Sequence, residues 1–154
     1  MNKKSVSFEN VDGSGLIIGV VVARWNSDVT APLRDACVKA LQDAGVAESD
    51  IIVQSVPGAY EVVSGSKHLI DQHKVDAVVA IGCLIKGETM HFEYIADAVS
   101  HGIMTLNTAS TVPVIFGVLT CLTEEQATSR STGEHNHGYA WGQSAVEMAS
   151  LKKK

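Results

Sequence analysis

Two uninterrupted apolar runs constrain this chain more than anything else in it: LIIGVVVA at 16–23 and AVVAIGCLI at 77–85. Successive side chains of a strand point to opposite faces, so a strand wetted on one side alternates apolar and polar residues. A strand that stays apolar and β-branched at every position is covered on both faces, as in a parallel sheet with helices above and below. DIIVQSV (50–56) and PVIFGVL (113–119) add two further strands. Phe116, inside an otherwise aliphatic strand, reads as core.

Helical patterns fill the intervals. Leu33, Cys37, Ala40, Leu41 and Ala44 form one apolar stripe that Gly45 ends, with Thr30 expected as its N-cap and Pro32 in its first turn. A second helical segment follows Pro57-Gly58 and runs to about His73; Gly65-Ser66-Lys67 lies inside it and reads as packing. Phe92, Ile95, Ala96 and Val99 mark a third helix, Glu124–Arg130 a short fourth, and Gly138 to about Leu151 the last. Alternating strands and helices predict an α/β fold with a parallel sheet and helices on both faces.

With 154 residues, 45% of them hydrophobic, the chain suits one domain, here 14–154. The polar arm 1–13 ahead of it ends in the turn Asp12-Gly13-Ser14-Gly15 and is expected to order only by packing on a neighbour. A net charge of −5, with Lys152–Lys154 the one basic run, argues against a nucleic-acid partner, which needs clustered cations. Cys37, Cys83 and Cys121 form no Cys-x-x-Cys pair and predict a reducing, cytoplasmic setting. No run approaches the roughly 20 apolar residues of a membrane span, and no leader pattern is evident.

Ligands of parallel α/β sheets bind beyond the carboxyl ends of the strands. That directs attention to 24–28, 56–61, 83–91 and the loop after Leu119. Familiar chemistries fail there. Gly13-Ser14-Gly15 precedes the first strand instead of following it, so it is no dinucleotide fingerprint, and there is no P-loop. A receiver-like signalling domain would carry paired carboxylates where this chain has Arg24-Trp25-Asn26. His135 and His137 could supply two metal ligands, with no third near in sequence. Cys83 reads as a small buried apolar residue.

The positive signals lie in the loop Lys86-Gly87-Glu88-Thr89-Met90-His91, which opens a helix. Backbone N–H groups at a helix start can seat an anion such as phosphate. His91 is either a proton carrier beside that seat or an ordinary exposed helix-start histidine. Arg130 is either a second phosphate contact or a cation closing its helix. Trp25 is a large aromatic in a loop, suited to stacking on something flat. Glu61 either accepts hydrogen bonds from a heterocycle or its hydroxyls, or complements a helix dipole.

In ARWNSDVT (23–30), VPGAYE (56–61), AIGCLIKGETMHFEYIAD (80–97), PVIFGVLT (113–120), EQATSR (125–130) and HNHGYAWGQSAVEMA (135–149), the chain resembles the 6,7-dimethyl-8-ribityllumazine synthases of riboflavin biosynthesis. The resemblance covers about residues 16–150. It implies a three-layer α-β-α sandwich with a parallel four-stranded flavodoxin-like sheet, and a cofactor-free, metal-free transferase. The reaction implied condenses 5-amino-6-(D-ribitylamino)uracil with 3,4-dihydroxy-2-butanone 4-phosphate. By the same resemblance His91 carries the proton. Trp25, Asn26, Ala59, Tyr60, Glu61, Cys83, Leu84 and Ile85 line the pyrimidine and ribityl subsite, which Phe116 closes from an adjacent subunit. Gly87, Glu88, Thr89, Arg130 and His137 are assigned to the phosphate. Where the family more often has Phe, Phe and Lys, this chain has Trp25, Tyr60 and His137, and Trp25 offers a larger stacking face for product or riboflavin. The family assembles as pentamers and in some members as sixty-subunit shells; HNHG at 135–138 favours the pentamer here. The alternative is a non-catalytic flavin or lumazine carrier on the same scaffold, which would have no use for a phosphate seat.

Overall fold

A computed structural model describes residues 6–9 and 12–153. Its elements run β1 (Ile18–Ala23), α1 (Ser27–Asp43), β2 (Ile51–Val56), α2 (Val62–Gln72), β3 (Ala77–Ile85), α3 (His91–Ala109), β4 (Val114–Cys121), α4 (Glu124–Ser131) and α5 (His137–Ser150), with short 3-10 turns between. The strands form one parallel sheet in the order β2-β1-β3-β4. This is the expected three-layer, flavodoxin-like α/β architecture.

The apolar runs are buried on both faces, for the reason their composition suggests. Ile18, Val20 and Val22 of β1 join Val79 and Ile81 of β3 and Leu33, Cys37, Ala145 and Val146 of α1 and α5 in one core. Val21 and Ala23, together with Val78 and Ala80, face the other way and pack with Val62, Leu69, Val99 and Ile103 of α2 and α3. Gly65 lets α2 lie close on the sheet: a Cβ there would stand 2.8 Å from Val21 and 2.9 Å from Val56. Gly142 does the same between α1 and α5, where a Cβ would meet the Cys37 carbonyl oxygen at 2.7 Å.

The start of α1 departs from the sequence reading. The helix begins at Ser27, with Asn26 as N-cap residue in the left-handed region at φ 60°, ψ 46°. Thr30 therefore lies inside the first turn. Its buried hydroxyl donates to the Ala23 carbonyl at 2.7 Å, returning the chain to the end of β1. At the other end Gly45, at φ 95°, donates to the Gln42 carbonyl, and Val46 donates to that of Leu41. These two bonds close the helix in the expected glycine-terminated manner.

The HNH stretch also has a structural occupation. Asn136 caps α5 by accepting from the Gly138 N–H, while its amide donates to the Pro32 and Ser131 carbonyls. Of the arm, residues 1–5, 10 and 11 lie outside the described residues. The Glu9 N–H donates to the Glu147 carboxylate and Gly13 to the Ala44 carbonyl, so these two positions are tied to the chain's own body. Among the described residues no helix is long and apolar enough to cross a membrane.

Candidate active site

The sheet order reverses direction between β1 and β3, because the chain leaves β1 outward to β2 and then returns to β3. In such sheets the helices leaving the two sides diverge and open a crevice beyond the carboxyl ends of the strands. A cleft of about 590 Å³ occupies that place. Three strand ends build it. The first contributes Trp25 and Asn26, the second Pro57–Glu61, and the third Cys83–Ile85 with Gly87, Thr89 and His91.

Local bonds fix each contribution. The Arg24 and Trp25 N–H groups donate to the Val56 and Pro57 carbonyls, aligning the loops after β1 and β2. Asn26 Nδ2 donates to the Cys83 carbonyl at 3.0 Å, joining the first loop to β3. Trp25 remains 74% exposed and Tyr60 62%, so two aromatic faces stand free at one opening. Ala59 approaches β3 where Gly82 leaves room, since a Cβ at 82 would stand 3.1 Å from that of Ala59. The Glu61 N–H donates to the Gly58 carbonyl, and its half-buried side chain lines the cleft. His91 is the first residue of α3 and exposed, at the helix end where unpaired N–H groups gather.

Chemically the cleft offers an aromatic wall, a carboxylate, strand-end backbone groups and an imidazole beside an anion-favouring helix start. Cys83 is buried at 2% exposure. Burial pushes its thiol up to about 12, with Cys121 and Asp28 adding to the effect, which makes it inert at neutral pH. Among the described residues no three His, Cys, Asp or Glu side chains gather as metal ligands.

Sequence comparison decides the family. The profile of the 6,7-dimethyl-8-ribityllumazine synthases matches residues 15–153. A 6,7-dimethyl-8-ribityllumazine synthase of Porphyromonas gingivalis is 45% identical over 99% of this chain and 96% of its own. Those of Schizosaccharomyces pombe and Pyricularia oryzae are 46% and 42% identical, over 90% and 99% of this chain and 89% and 96% of theirs. The chain belongs to the lumazine synthase family.

Of the residues singled out by likeness to the lumazine synthases, Glu88, Phe116, Arg130 and His137 do not line this cleft. Phe116 is 42% exposed rather than core, although it shares a face of the edge strand β4 with the buried Val114 and Val118. It faces a second hollow of about 730 Å³ with Met90, Glu93, Tyr94 and Leu122. Arg130 is half-buried and bonded to its own helix, donating to the Gln126 carbonyl at 3.0 Å. His137 opens α5, exposed, with its ring edge-to-face against Trp141 at 6.1 Å. Glu88 points outward from the exposed loop. Pro57 and Gly58, inside the loop 56–61 to which the sequence points, also line the cleft, and Phe92 and Ile95 complete it without having been expected there. For Phe92 and Ile95 the apolar stripe of α3 was the available signal; it marks the side that turns inward, and that side borders the cleft as well as the sheet.

Proposed function

We propose that this chain condenses 5-amino-6-(D-ribitylamino)uracil with 3,4-dihydroxy-2-butanone 4-phosphate to 6,7-dimethyl-8-ribityllumazine, the penultimate step of riboflavin biosynthesis. The observation that carries the reading is the meeting of Trp25, Glu61 and His91 in one cleft at the crossover point of the sheet, in a chain matched to lumazine synthases over nearly its full length. The enzyme is a transferase without metal or organic cofactor, and it works in the cytoplasm.

The pyrimidine stacks on the Trp25 indole, with Tyr60 beside it. Glu61 accepts from ribityl hydroxyls, and Asn26, Ala59 and the backbone of Cys83–Ile85 border the ring. Backbone N–H groups of Gly87, Glu88 and Thr89 hold the phosphate at the α3 start. The substrate amine attacks the ketone carbon, and water leaves to give an imine. Phosphate then departs, and the second amine closes the ring with loss of a further water. His91 receives the proton released at the amine and returns it to the departing oxygen. Holding both partners in register supplies much of the rate, since effective molarities of well-oriented groups reach about 10⁵ M or more.

The cleft is completed by an adjacent subunit of a homopentamer, which brings Phe116 over the ring and Arg130 and His137 to the phosphate. The exposed aromatic and apolar side chains around Phe116 support this assembly, because a contiguous apolar surface marks an interface. The test is multiple turnover with both substrates in large excess over protein. Repeated product release with competition from inorganic phosphate is expected; stoichiometric binding without turnover would make the protein a carrier.

A further inference from the structure

The loop that carries Gly87, Thr89 and His91 is exposed from Gly87 through His91. It has little of its own to hold it. A Cβ at Gly87 would meet no atom within 4 Å, and the Thr89 hydroxyl accepts from the His91 N–H at a long 3.4 Å. The residues on either side are firmly placed. The Lys86 N–H donates to the Cys121 carbonyl at 2.9 Å, which extends the pairing of β3 and β4 by one bond. Across the loop, Lys86 Nζ forms an ion pair with Glu93 Oε1 in the first turn of α3. Both side chains are about one-third exposed, at 34% and 38%.

The pair is closely committed. Glu93 Oε2 is shut off from solvent and has no hydrogen-bond partner, so Lys86 is the group that compensates this carboxylate. The ammonium beside it holds the Glu93 carboxyl below its usual range. Glu93 belongs to the wall of the second hollow, while Phe92 borders both hollows and His91 the first. The first turn of α3 is therefore the partition between them, and its angle decides where the His91 ring and the loop N–H groups point.

We propose that the Lys86–Glu93 ion pair is a positioning clamp: it spans the loop 87–90 and fixes the phosphate-binding backbone and His91 relative to the end of β3. The clamp deepens the condensation reading and rests on it for the identity of the phosphate-bearing substrate. Neither residue touches substrate in this account. A positioning role differs from a simple charge effect in sign. Removing the Glu93 charge alone leaves Lys86 uncompensated near the anion seat, which would tighten phosphate binding by electrostatics, whereas losing the clamp weakens it.

The experiment measures inorganic phosphate affinity by calorimetry, and KM for each substrate, on the assembled wild type and on Glu93→Gln, Lys86→Met and Lys86→Arg. Glu93→Gln and Lys86→Met are each expected to weaken phosphate binding and raise KM for the butanone phosphate about tenfold, because small misplacements of a binding group are costly. KM for the pyrimidine should stay within about twofold, and Lys86→Arg, which can keep the pair, should match the wild type. Unchanged or tighter phosphate binding in Glu93→Gln overturns the clamp, as does a parallel rise of both KM values or an Arg variant as impaired as the Met one. A wild type that makes no lumazine defeats the condensation reading, while the phosphate series still decides the clamp. A wild type that binds no phosphate overturns both.

Discussion

The Asn26 side chain donates to the Cys83 carbonyl at 3.0 Å while its own backbone sits in the left-handed region. One residue thus turns the chain sharply out of β1, starts α1 and pins the Trp25 loop to β3. An L-residue other than Gly, Asn or Asp pays about 1 kcal/mol or more in that conformation, and the lost hydrogen bond adds about 1 kcal/mol. Asn26→Ala should therefore lower unfolding stability by about 2 kcal/mol and Asn26→Gly by about half of that, measured by denaturant titration. Equal losses for the two variants would show that the backbone conformation carries no cost.

The α1–α5 crossing depends on glycine for space. A Cβ at Gly142 would lie 2.7 Å from the Cys37 carbonyl oxygen and 2.8 Å from the Ala40 Cβ, and one at Gly138 would fall on the Leu33 carbonyl. Backbone atoms cannot step aside as a side-chain tip can. Gly142→Ala is expected to destabilise by about 1–3 kcal/mol, seen as a lower thermal midpoint with the activity of the remaining folded protein unaltered. An unchanged midpoint would mean that the helices have room to separate.

Thiol chemistry gives a pH prediction. Burial pushes Cys37 from an ordinary 9.0 up to about 12, and Cys83 likewise. The folded state keeps these protons to higher pH than the unfolded chain does. Stability from this source is complete below 9.0 and drains away as pH climbs toward about 12. Denaturant midpoints should fall over that range, and less steeply in Cys37→Ala. A disulfide thiol reagent at mildly alkaline pH should find no fast-reacting cysteine in the native protein, all three being buried, and three after unfolding.

Trp25 presents a wide, exposed face at the mouth of the cleft. Stacking contributes about 0.5–1.5 kcal/mol beyond area for an aromatic pair, and a bicyclic ring overlaps a flavin more fully than a phenyl does. Trp25→Phe should weaken riboflavin binding about fivefold, followed by quenching of flavin fluorescence. An unchanged affinity would remove Trp25 from the binding face.

Much of this was legible in the sequence where one local cause dominates. The β-branched run 77–85 emerges as β3 with both ends as read, because burial on both faces admits no polar interruption. Gly45 ends α1 because the left-handed terminus favours glycine. The start of α1 was not legible: Thr30 has the chemistry of a cap, but the turn is set at Asn26 by a tether to a carbonyl on another strand. Phe116 was misread as core for a related reason, since an apolar run does not say which of its residues the neighbouring helix leaves uncovered. Strand-end loops could be located from topology alone, and Trp25, Glu61 and His91 meet there. Arg130 and His137 could not be brought to them by chain order, because α4 and α5 direct these side chains elsewhere in the single chain.

That separation makes the shared cleft open to a direct measurement. His91→Ala and Arg130→Ala chains, each expected to form lumazine at least about tenfold more slowly than wild type, are co-expressed with different tags and purified as mixed assemblies. If His91 of one subunit works with Arg130 of the next, intact pairs reform by chance and the mixed protein recovers about a quarter of the wild-type rate. A mixed assembly no faster than the average of the two variants alone would contradict an active site built between neighbouring chains.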